Sequence, residues 1–173
     1  MAQINEQPAN INFLSPLGFR FKLKRAPNLN FFVTDVNLPQ ISLGNVEIPT
    51  PFKLINVPGS KLEYGDFNLT FKMDEDMSTY FEIYNWLIAI GFPENFDQYK
   101  GLKNAQKGTP SQLFSDATLT IMTSDMVPNI EVTFEDLFPT SIGEINFNTS
   151  DTDVNYVTTS VSFKYKIFHV KKV

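Results

Sequence analysis

The sequence predicts a mainly β protein, an antiparallel β-sandwich or partly closed barrel with one flanking α-helix. Short segments alternate apolar and polar residues with a period of two, only one segment has helical spacing, and Gly and Pro separate the segments. The chain of 173 residues fits one domain, and 42% hydrophobic residues, including 17 Phe, can fill its core. We expect residues 1–15 to form a flexible N-terminal arm and residues 16–173 to form a single β domain.

The first half of the chain is predicted to contain three strands around a proline-rich segment. Clean alternation predicts strands over 17–25 and 67–73, and a further strand is predicted over 31–38, where Pro39 ends it. Residues 40–58 contain three prolines, and a proline inside a central strand removes a ladder hydrogen bond. This segment is therefore predicted to be an edge strand or an extended loop, and Pro58–Ser60 is predicted to be a turn.

One helix is predicted over residues 76–90. The acidic run Asp74–Asp76 suits the positive N-terminal end of a helix, and Thr79 with Glu82 matches a capping box. Gly91 occupies a C-terminal cap position, and Pro93 prevents the helix from continuing.

The second half is predicted to contain further strands after a long polar connection. The predicted elements are a connection over 91–115, strands over 116–123 and 129–136, a turn over 137–143, a short strand over 144–148 and a final strand over 154–170. The final strand is far longer than the usual five or six residues. We expect it to project beyond the core or to pair with more than one neighbour.

Composition excludes several kinds of chemistry. The absence of Cys excludes disulfides, zinc–thiolate sites and thiol nucleophiles, and a single histidine, His169, excludes sites that need two imidazoles. Asp74–Asp76 is interpreted as a helix cap, and Asp151–Asp153 as a turn without the ligands of a calcium loop. No apolar run reaches membrane-spanning length, and no secretion signal is visible. We therefore expect no enzyme activity, no cofactor, no metal ion and no membrane partner.

Charge is distributed unevenly along the chain, whose formal net charge is −5. Residues 1–60 carry 5 basic and 3 acidic groups, and residues 61–173 carry 9 basic and 16 acidic groups. This asymmetry can place a basic strand against an acidic neighbour, or it reflects chance on a solvated surface. Arg20, Lys22 and Lys24 could contact nucleic acid, but an acidic chain favours a solvated strand face.

Several predicted strands have a polar face, and long alternating strands leave open edges that must be covered, charged or paired. Assembly into a ring pairs every edge and produces a continuous barrel with a polar, mildly acidic lining, whereas a one-sided sheet in water has the same periodicity. The candidate lumen-facing residues are Thr118, Thr120, Glu131, Thr133 and Glu135.

An ordered set of segments resembles the tail tube protein family of contractile-tailed bacteriophages, whose fold is shared by baseplate tube-initiator proteins and type VI secretion tube proteins. The set spans about residues 15–170 and consists of Val36–Pro39, Ile48–Phe52, Ile55–Gly59, Phe67–Asp74, Tyr84–Leu87 and Leu137–Glu144.

This resemblance implies a structural, non-enzymatic subunit of the virion. Copies would form a hexameric ring whose inner wall is a continuous β-barrel with four strands from each subunit. Rings would stack into a tube inside a contractile sheath, DNA would pass through the lumen, and assembly would take place in the bacterial host cytoplasm. The implied partners are further copies of the chain, the sheath, and baseplate or tail-terminator proteins.

The resemblance also implies that residues 40–58 reach the adjoining ring. Exposed apolar side chains usually mark contacts, and the candidate inter-ring residues are Ile41, Leu43, Val46, Ile48, Pro49, Pro51 and Phe52. Two other functions stay open: a baseplate tube-initiator subunit that forms a single ring, and a soluble β-sandwich that binds carbohydrate or peptide through the connection over 91–115.

Overall fold

Nine strands and two helices form the described part of the computed structural model, which covers residues 11–95, 97–98, 113–148 and 156–173. This composition confirms the predicted mainly β class. The elements are β1 (Phe19–Leu23), α1 (Leu29–Phe32), β2 (Val33–Val36), β3 (Ile41–Pro49), β4 (Leu54–Tyr64), β5 (Phe67–Lys72), α2 (Ser78–Gly91), β6 (Ser115–Met122), β7 (Pro128–Ile142), β8 (Thr158–Lys164) and β9 (Ile167–Lys172).

Two four-stranded antiparallel sheets share the 15-residue strand β7. The first sheet has the order β1-β6-β7-β9 and uses β7 up to Leu137. The second sheet has the order β7-β8-β5-β2 and uses the last part of β7, from Phe138 to Ile142. Because every pairing is antiparallel, the two edge strands of each sheet run in opposite directions.

The core lies between the apolar faces of the two sheets. Phe67 of the second sheet is fully buried, and its ring centroid lies 4.5 Å from that of Phe134 and 5.6 Å from that of Phe21. Burying a Phe side chain contributes about 1.5–3 kcal/mol, so this aromatic cluster is a main source of stability.

The helix α2 begins at Ser78, and its N-terminus is capped by Asp74 rather than by the predicted capping box. Asp74 accepts hydrogen bonds from the backbone N–H groups of Ser78 and Thr79, at 3.2 and 3.4 Å, and from the Thr79 hydroxyl at 3.0 Å. Burial alone would raise the pKa of Asp74, but these hydrogen bonds outweigh burial and lower it. Glu82, the other half of the predicted box, instead accepts a hydrogen bond from the Asn28 side chain at 3.0 Å.

Two predicted elements around β2 and β7 are wrong. Phe31 and Phe32, predicted to begin a strand, belong to the short helix α1, and β2 begins only at Val33. The predicted turn over 137–143 is part of β7, which continues to Ile142. Pro139 is tolerated there because a register shift follows it, and a proline at a bulge or edge removes no ladder hydrogen bond.

The end of the chain also differs from the prediction. Residues 144–148 form no strand, and the predicted final strand, part of which lies outside the described residues, is divided into β8 and β9. The break falls at Tyr165 and Lys166. The Tyr165 hydroxyl donates a hydrogen bond to the Gly65 carbonyl at 2.9 Å, and burial, followed by the nearby Tyr64 and Asp66, raises the pKa of Tyr165 to about 12.

Candidate assembly surfaces

The proline-rich segment forms a two-stranded ribbon that stands apart from both sheets. Within the described residues, β3 and β4 pair only with each other, and we call this ribbon the arm. The prediction of an edge strand or a loop therefore needs correction. The predicted turn at Pro58–Ser60 is wrong because these residues lie inside β4, where Pro58 pairs with Asn45. The actual turn is Thr50–Lys53, closed by a 3.1 Å hydrogen bond from the Thr50 N–H to the Lys53 carbonyl.

A close crossing of the two strands explains the glycine in β4. A Cβ atom on Gly59 would lie 2.5 Å from the carbonyl oxygen of Gly44, which is closer than real contacts allow. The register shifts at this point, between Leu43 and Asn45. Gly59 therefore marks a place where the two backbones approach each other and not a chain reversal.

The outer half of the arm has one face that is aliphatic. The pairs Val46–Val57 and Ile48–Ile55 alternate along the ribbon with the pair Glu47–Asn56. Because side chains alternate across a strand, the four aliphatic residues share one face. We call this set the apolar face of the arm: Val46, Ile48, Ile55 and Val57.

The predicted inter-ring residues lie along this arm. Val46 is 57% exposed, Ile48 48% and Phe52, in the turn, 97%. Ile41, Leu43 and Pro49 lie on β3 and are also exposed, as is Pro51 in the turn. An isolated two-stranded ribbon is marginal in water without further packing, and exposed apolar side chains on such a ribbon are typical of a contact surface. The contact between rings stays a prediction.

The five residues predicted to face a lumen lie together on the polar face of the first sheet. Thr118 pairs with Thr133, and Thr120 pairs with Glu131, while Glu135 follows along β7. The structure therefore groups these residues as the alternation suggested. Their exposure to a lumen stays a prediction.

Sequence reasoning recognised the basic residues of β1 but did not place them, or Lys171, on the same face as these five residues. Arg20 pairs with Thr120 and Lys22 with Thr118 from β1, whereas Lys171 pairs with Glu131 from β9. The alternation of β1 already showed that Arg20 and Lys22 share a face. The sequence did not show which strands lie beside β1 and β9, and so it did not show that these cations lie near Glu131.

Contacts between basic and acidic side chains cross this face within the subunit. The Lys24 ammonium lies 2.7 Å from an Asp116 carboxylate oxygen, and Nε2 of His169 lies 3.5 Å from Oε1 of Glu135. These groups are well exposed, so the pairs contribute little stability. The face therefore has mixed charge, whereas the sequence predicted a mildly acidic lining.

The polar face of the second sheet is different, because hydroxyl and amide groups form its central rows. Asn68, Ser162 and Ser141 make one row across β5, β8 and β7, and Thr70 pairs with Ser160 in the next. The Ser162 hydroxyl donates a 2.6 Å hydrogen bond to the Asn68 side-chain oxygen.

A groove of about 1260 Å³ runs along one side of the sandwich, between the edge strands β1 and β2. In the described part of the chain, β1 pairs only with β6 and β2 only with β5. The lining includes Leu17, Phe31, Val33 and Met126. Unpaired strand edges beside apolar side chains can form hydrogen bonds with a strand of another chain.

Other candidate sites receive no support from the described residues. Among them, no group of three His, Asp or Glu side chains is placed to hold a metal ion, and no helix is long and apolar enough to cross a membrane. Residues 151–153 lie outside the described residues, as does most of the predicted ligand-binding connection over 91–115.

A family model described as phage tail tube protein matches residues 4–171. The chain belongs to the phage tail tube protein family. This membership confirms the resemblance found in the sequence, and it assigns the chain to a family of structural proteins and not of enzymes. No curated protein matches the chain at a significant level.

Three solved structures of injection systems have a similar fold. The anti-feeding prophage cap, a tube-terminating cap, has a TM-score of 0.61 and 11% identity, covering 100% of both chains. The anti-feeding prophage baseplate gives 0.55 and 7%, covering 88% of this chain and 90% of that one. The sheath–tube complex of an extracellular contractile injection system gives 0.56 and 12%, covering 98% and 95%. At such identities the likeness is one of fold.

Proposed function

We propose that the chain is the repeating subunit of a phage tail tube. Copies close into hexameric rings, the rings stack inside a contractile sheath, and DNA passes through the channel during ejection. The observation that carries this proposal is the arm, whose apolar face lies on a ribbon that pairs with neither sheet within the described residues. A surface of this kind is typical of a contact with another molecule.

Strand direction supports ring closure. Each sheet contributes four antiparallel strands, so its two edge strands run in opposite directions. Rotation of a copy about an axis roughly along the strands keeps their direction, and the edge of one copy then meets the opposite edge of the next in antiparallel orientation. Pairing of these edges would close a continuous barrel and leave no unpaired edge.

Stacking of rings requires a different kind of contact. A head-to-tail contact places one surface of a subunit against a different surface of its neighbour, and repetition of that contact produces an open polymer. The apolar face of the arm is one such surface. We propose that the arm meets the body of a subunit in the adjoining ring through this apolar face and through the exposed apolar residues at its tip and base. The contributing residues would be Ile41, Leu43, Val46, Ile48, Pro49, Pro51 and Phe52.

The partners follow from this assembly. The outside of the tube would contact sheath subunits, and its two ends would contact baseplate and tail-terminator proteins. DNA would be a transient, non-specific passenger, because a hexamer of chains with a formal charge of −5 carries about −30 and repels phosphate. The subunit would assemble in the cytoplasm of the bacterial host and function in the virion.

A single-ring role is the second candidate. The likeness to a tube-terminating cap extends over all of both chains, and the likeness to a baseplate protein extends over most of both. A cap or an initiator of the tube would form a ring that does not add further rings of the same chain. The ability of a ring to add further rings of the same chain therefore distinguishes a tube subunit from a cap or an initiator, whereas the fold does not.

Negative-stain electron microscopy of the purified chain tests the proposal. The unmodified protein is expected to form tubes of uniform bore, and a variant lacking Ile48–Pro51 is expected to stay folded but unstacked. Urea unfolding of the variant verifies its fold. Rings of unmodified protein that never lengthen would support the cap or initiator role, whereas a monomer at every concentration would overturn both. Continued stacking by the deletion variant would show that the arm is not the inter-ring contact.

A further inference from the structure

We propose that the polar face of the second sheet, and not that of the first, forms the wall of the channel. The inference rests on the proposed tube function and assigns the channel to Asn68, Thr70, Ser141, Ser160 and Ser162. The first sheet, with Thr118, Thr120, Glu131, Thr133 and Glu135, would then face outward, contrary to the prediction from the sequence.

The first argument is the charge of the two faces. The central rows of the first sheet contain Arg20, Lys22 and Lys171 together with carboxylates. Fixed cations bind the phosphates of nucleic acid, so such a wall would slow DNA in transit.

The second sheet presents no cation in its central rows. Its lysines, Lys72 and Lys164, lie at the ends of β5 and β8, and the Lys164 ammonium is 3.3 Å from an Asp66 carboxylate oxygen. Asp35 of β2, at the edge of the sheet, pairs with Thr70. The side chains between these positions are hydroxyl and amide groups, which carry no charge and therefore lack the electrostatic attraction of a fixed cation for phosphate.

The second argument is the origin of the arm. β3 follows β2 directly, and β4 leads through Gly65 and Asp66 into β5, so the arm emerges between two neighbouring strands of the second sheet. Its base is fixed there by hydrogen bonds from the Gly65 N–H to the Gln40 carbonyl, at 2.9 Å, and from the Asn68 N–H to the Asn37 side-chain oxygen, at 2.6 Å. An arm that reaches the adjoining ring has to extend parallel to the channel axis. Because the arm continues β2 and β5, these two strands would lie in the channel wall.

The third argument concerns the edges that would pair between copies. Closing the first sheet would set β1 of one copy beside β9 of the next, which brings Arg20 and Lys22 towards Lys171. Like charges on paired strands are destabilising. Closing the second sheet would set β2 beside the end of β7, where Asp35 meets hydroxyl residues such as Ser141.

The groove beside β2 fits this second arrangement. Phe31 and Val33 line it at the edge of the second sheet. Within the described residues, β7 from Phe138 to Ile142 has a neighbour on one side only, β8. The occupant that we propose for this edge is therefore the end of β7 of a second copy in the same ring.

Single cysteines in this cysteine-free chain test the assignment. Thr70→Cys and Thr120→Cys are a matched pair, because each threonine is half-buried on the strand next to an edge strand of its sheet. Assembled tubes are treated with a small maleimide dye and with maleimide coupled to serum albumin, a reagent chosen because it is too wide to enter the bore. Dissociated subunits treated in the same way report the accessibility of each thiol before assembly.

We expect the Thr70→Cys tubes to react with the dye and to lose reaction with the albumin reagent, while the Thr120→Cys tubes react with both. Ser160→Cys replaces Thr70→Cys if the latter does not fold, and the same result is expected from it. The opposite pattern, or equal reaction at both positions in tubes, overturns the assignment but leaves the tube function intact. Failure of the unmodified chain to form rings or tubes overturns the proposed function, and this inference with it.

Discussion

The body and the arm use the same kind of strand for different purposes. In the body, Phe67, Phe134 and Phe163 are fully buried, because a second sheet lies against each alternating strand. In the arm, the apolar positions are equally regular, but the ribbon has no second layer in the described part of the chain, and Val46 and Phe52 are exposed. The comparison shows that apolar alternation predicts which residues will be covered, but not whether the cover comes from the same chain.

The largest expected effect on stability is in the body. Phe67→Ala removes a ring that contacts Phe21, Phe134 and Phe163, so it should reduce the free energy of unfolding by about 3–5 kcal/mol. Urea unfolding followed by circular dichroism measures the change. Phe52→Ala is the matched control: its ring is 97% exposed, and the unfolding free energy should stay within about 0.5 kcal/mol of that of the unmodified protein. Equal losses from the two variants would remove the distinction between body and arm.

The next effect concerns assembly and leaves stability almost unchanged. Ile48→Asn together with Ile55→Asn places amides on the apolar face of the arm, and the unfolding free energy should change by about 0.5 kcal/mol or less because both side chains are exposed. Sedimentation velocity should show rings in place of tubes. The control is Glu47→Gln with Asn56→Gln on the opposite face of the ribbon, and this variant should still stack. Loss of tubes in both variants would mean that the contact does not distinguish the two faces.

The smallest effect tests the join between body and arm. Tyr165 bonds to Gly65, which connects β4 to β5, and burial raises its pKa from 10.0 to about 12. A raised folded pKa means that the stability contributed by the neutral hydroxyl is complete below pH 10 and is lost as the pH rises through 12. Tyr165→Phe should lose about 1 kcal/mol at neutral pH and should lack this part of the alkaline loss. Urea unfolding between pH 8 and pH 12 measures the difference, and identical alkaline profiles would contradict it.

The strands that sequence reasoning predicted well are those that alternate over a full length in the core. β1, β5 and β6 have the predicted apolar faces because Phe21, Phe67 and Leu119 each follow a strict period of two. The placement of Thr118 and Thr133 on one polar face could also be predicted from the sequence, since both belong to strands of regular alternation.

Proline and glycine residues led to wrong predictions of turns where tertiary contacts override the local preference of the backbone. Pro139 and Gly59 suggest turns, yet Pro139 lies in β7 beside a register shift, and Gly59 lies where two backbones cross. One feature of the sequence does indicate the break between β8 and β9. Phe163 and Phe168 are both large apolar residues and both are buried, but a single unbroken strand would place an odd and an even position on opposite faces. The charge of the first sheet was hidden, because it depends on which strands become neighbours.

The shared strand β7 has a mechanical consequence. Its 15 residues are hydrogen-bonded first into one sheet and then into the other, so the two layers are joined by a continuous backbone as well as by side-chain packing. Sliding of one layer over the other requires the rupture of a ladder, whereas layers held by packing alone can shear past each other. A load applied to one sheet of the subunit is therefore transmitted through the backbone of β7 to the other sheet.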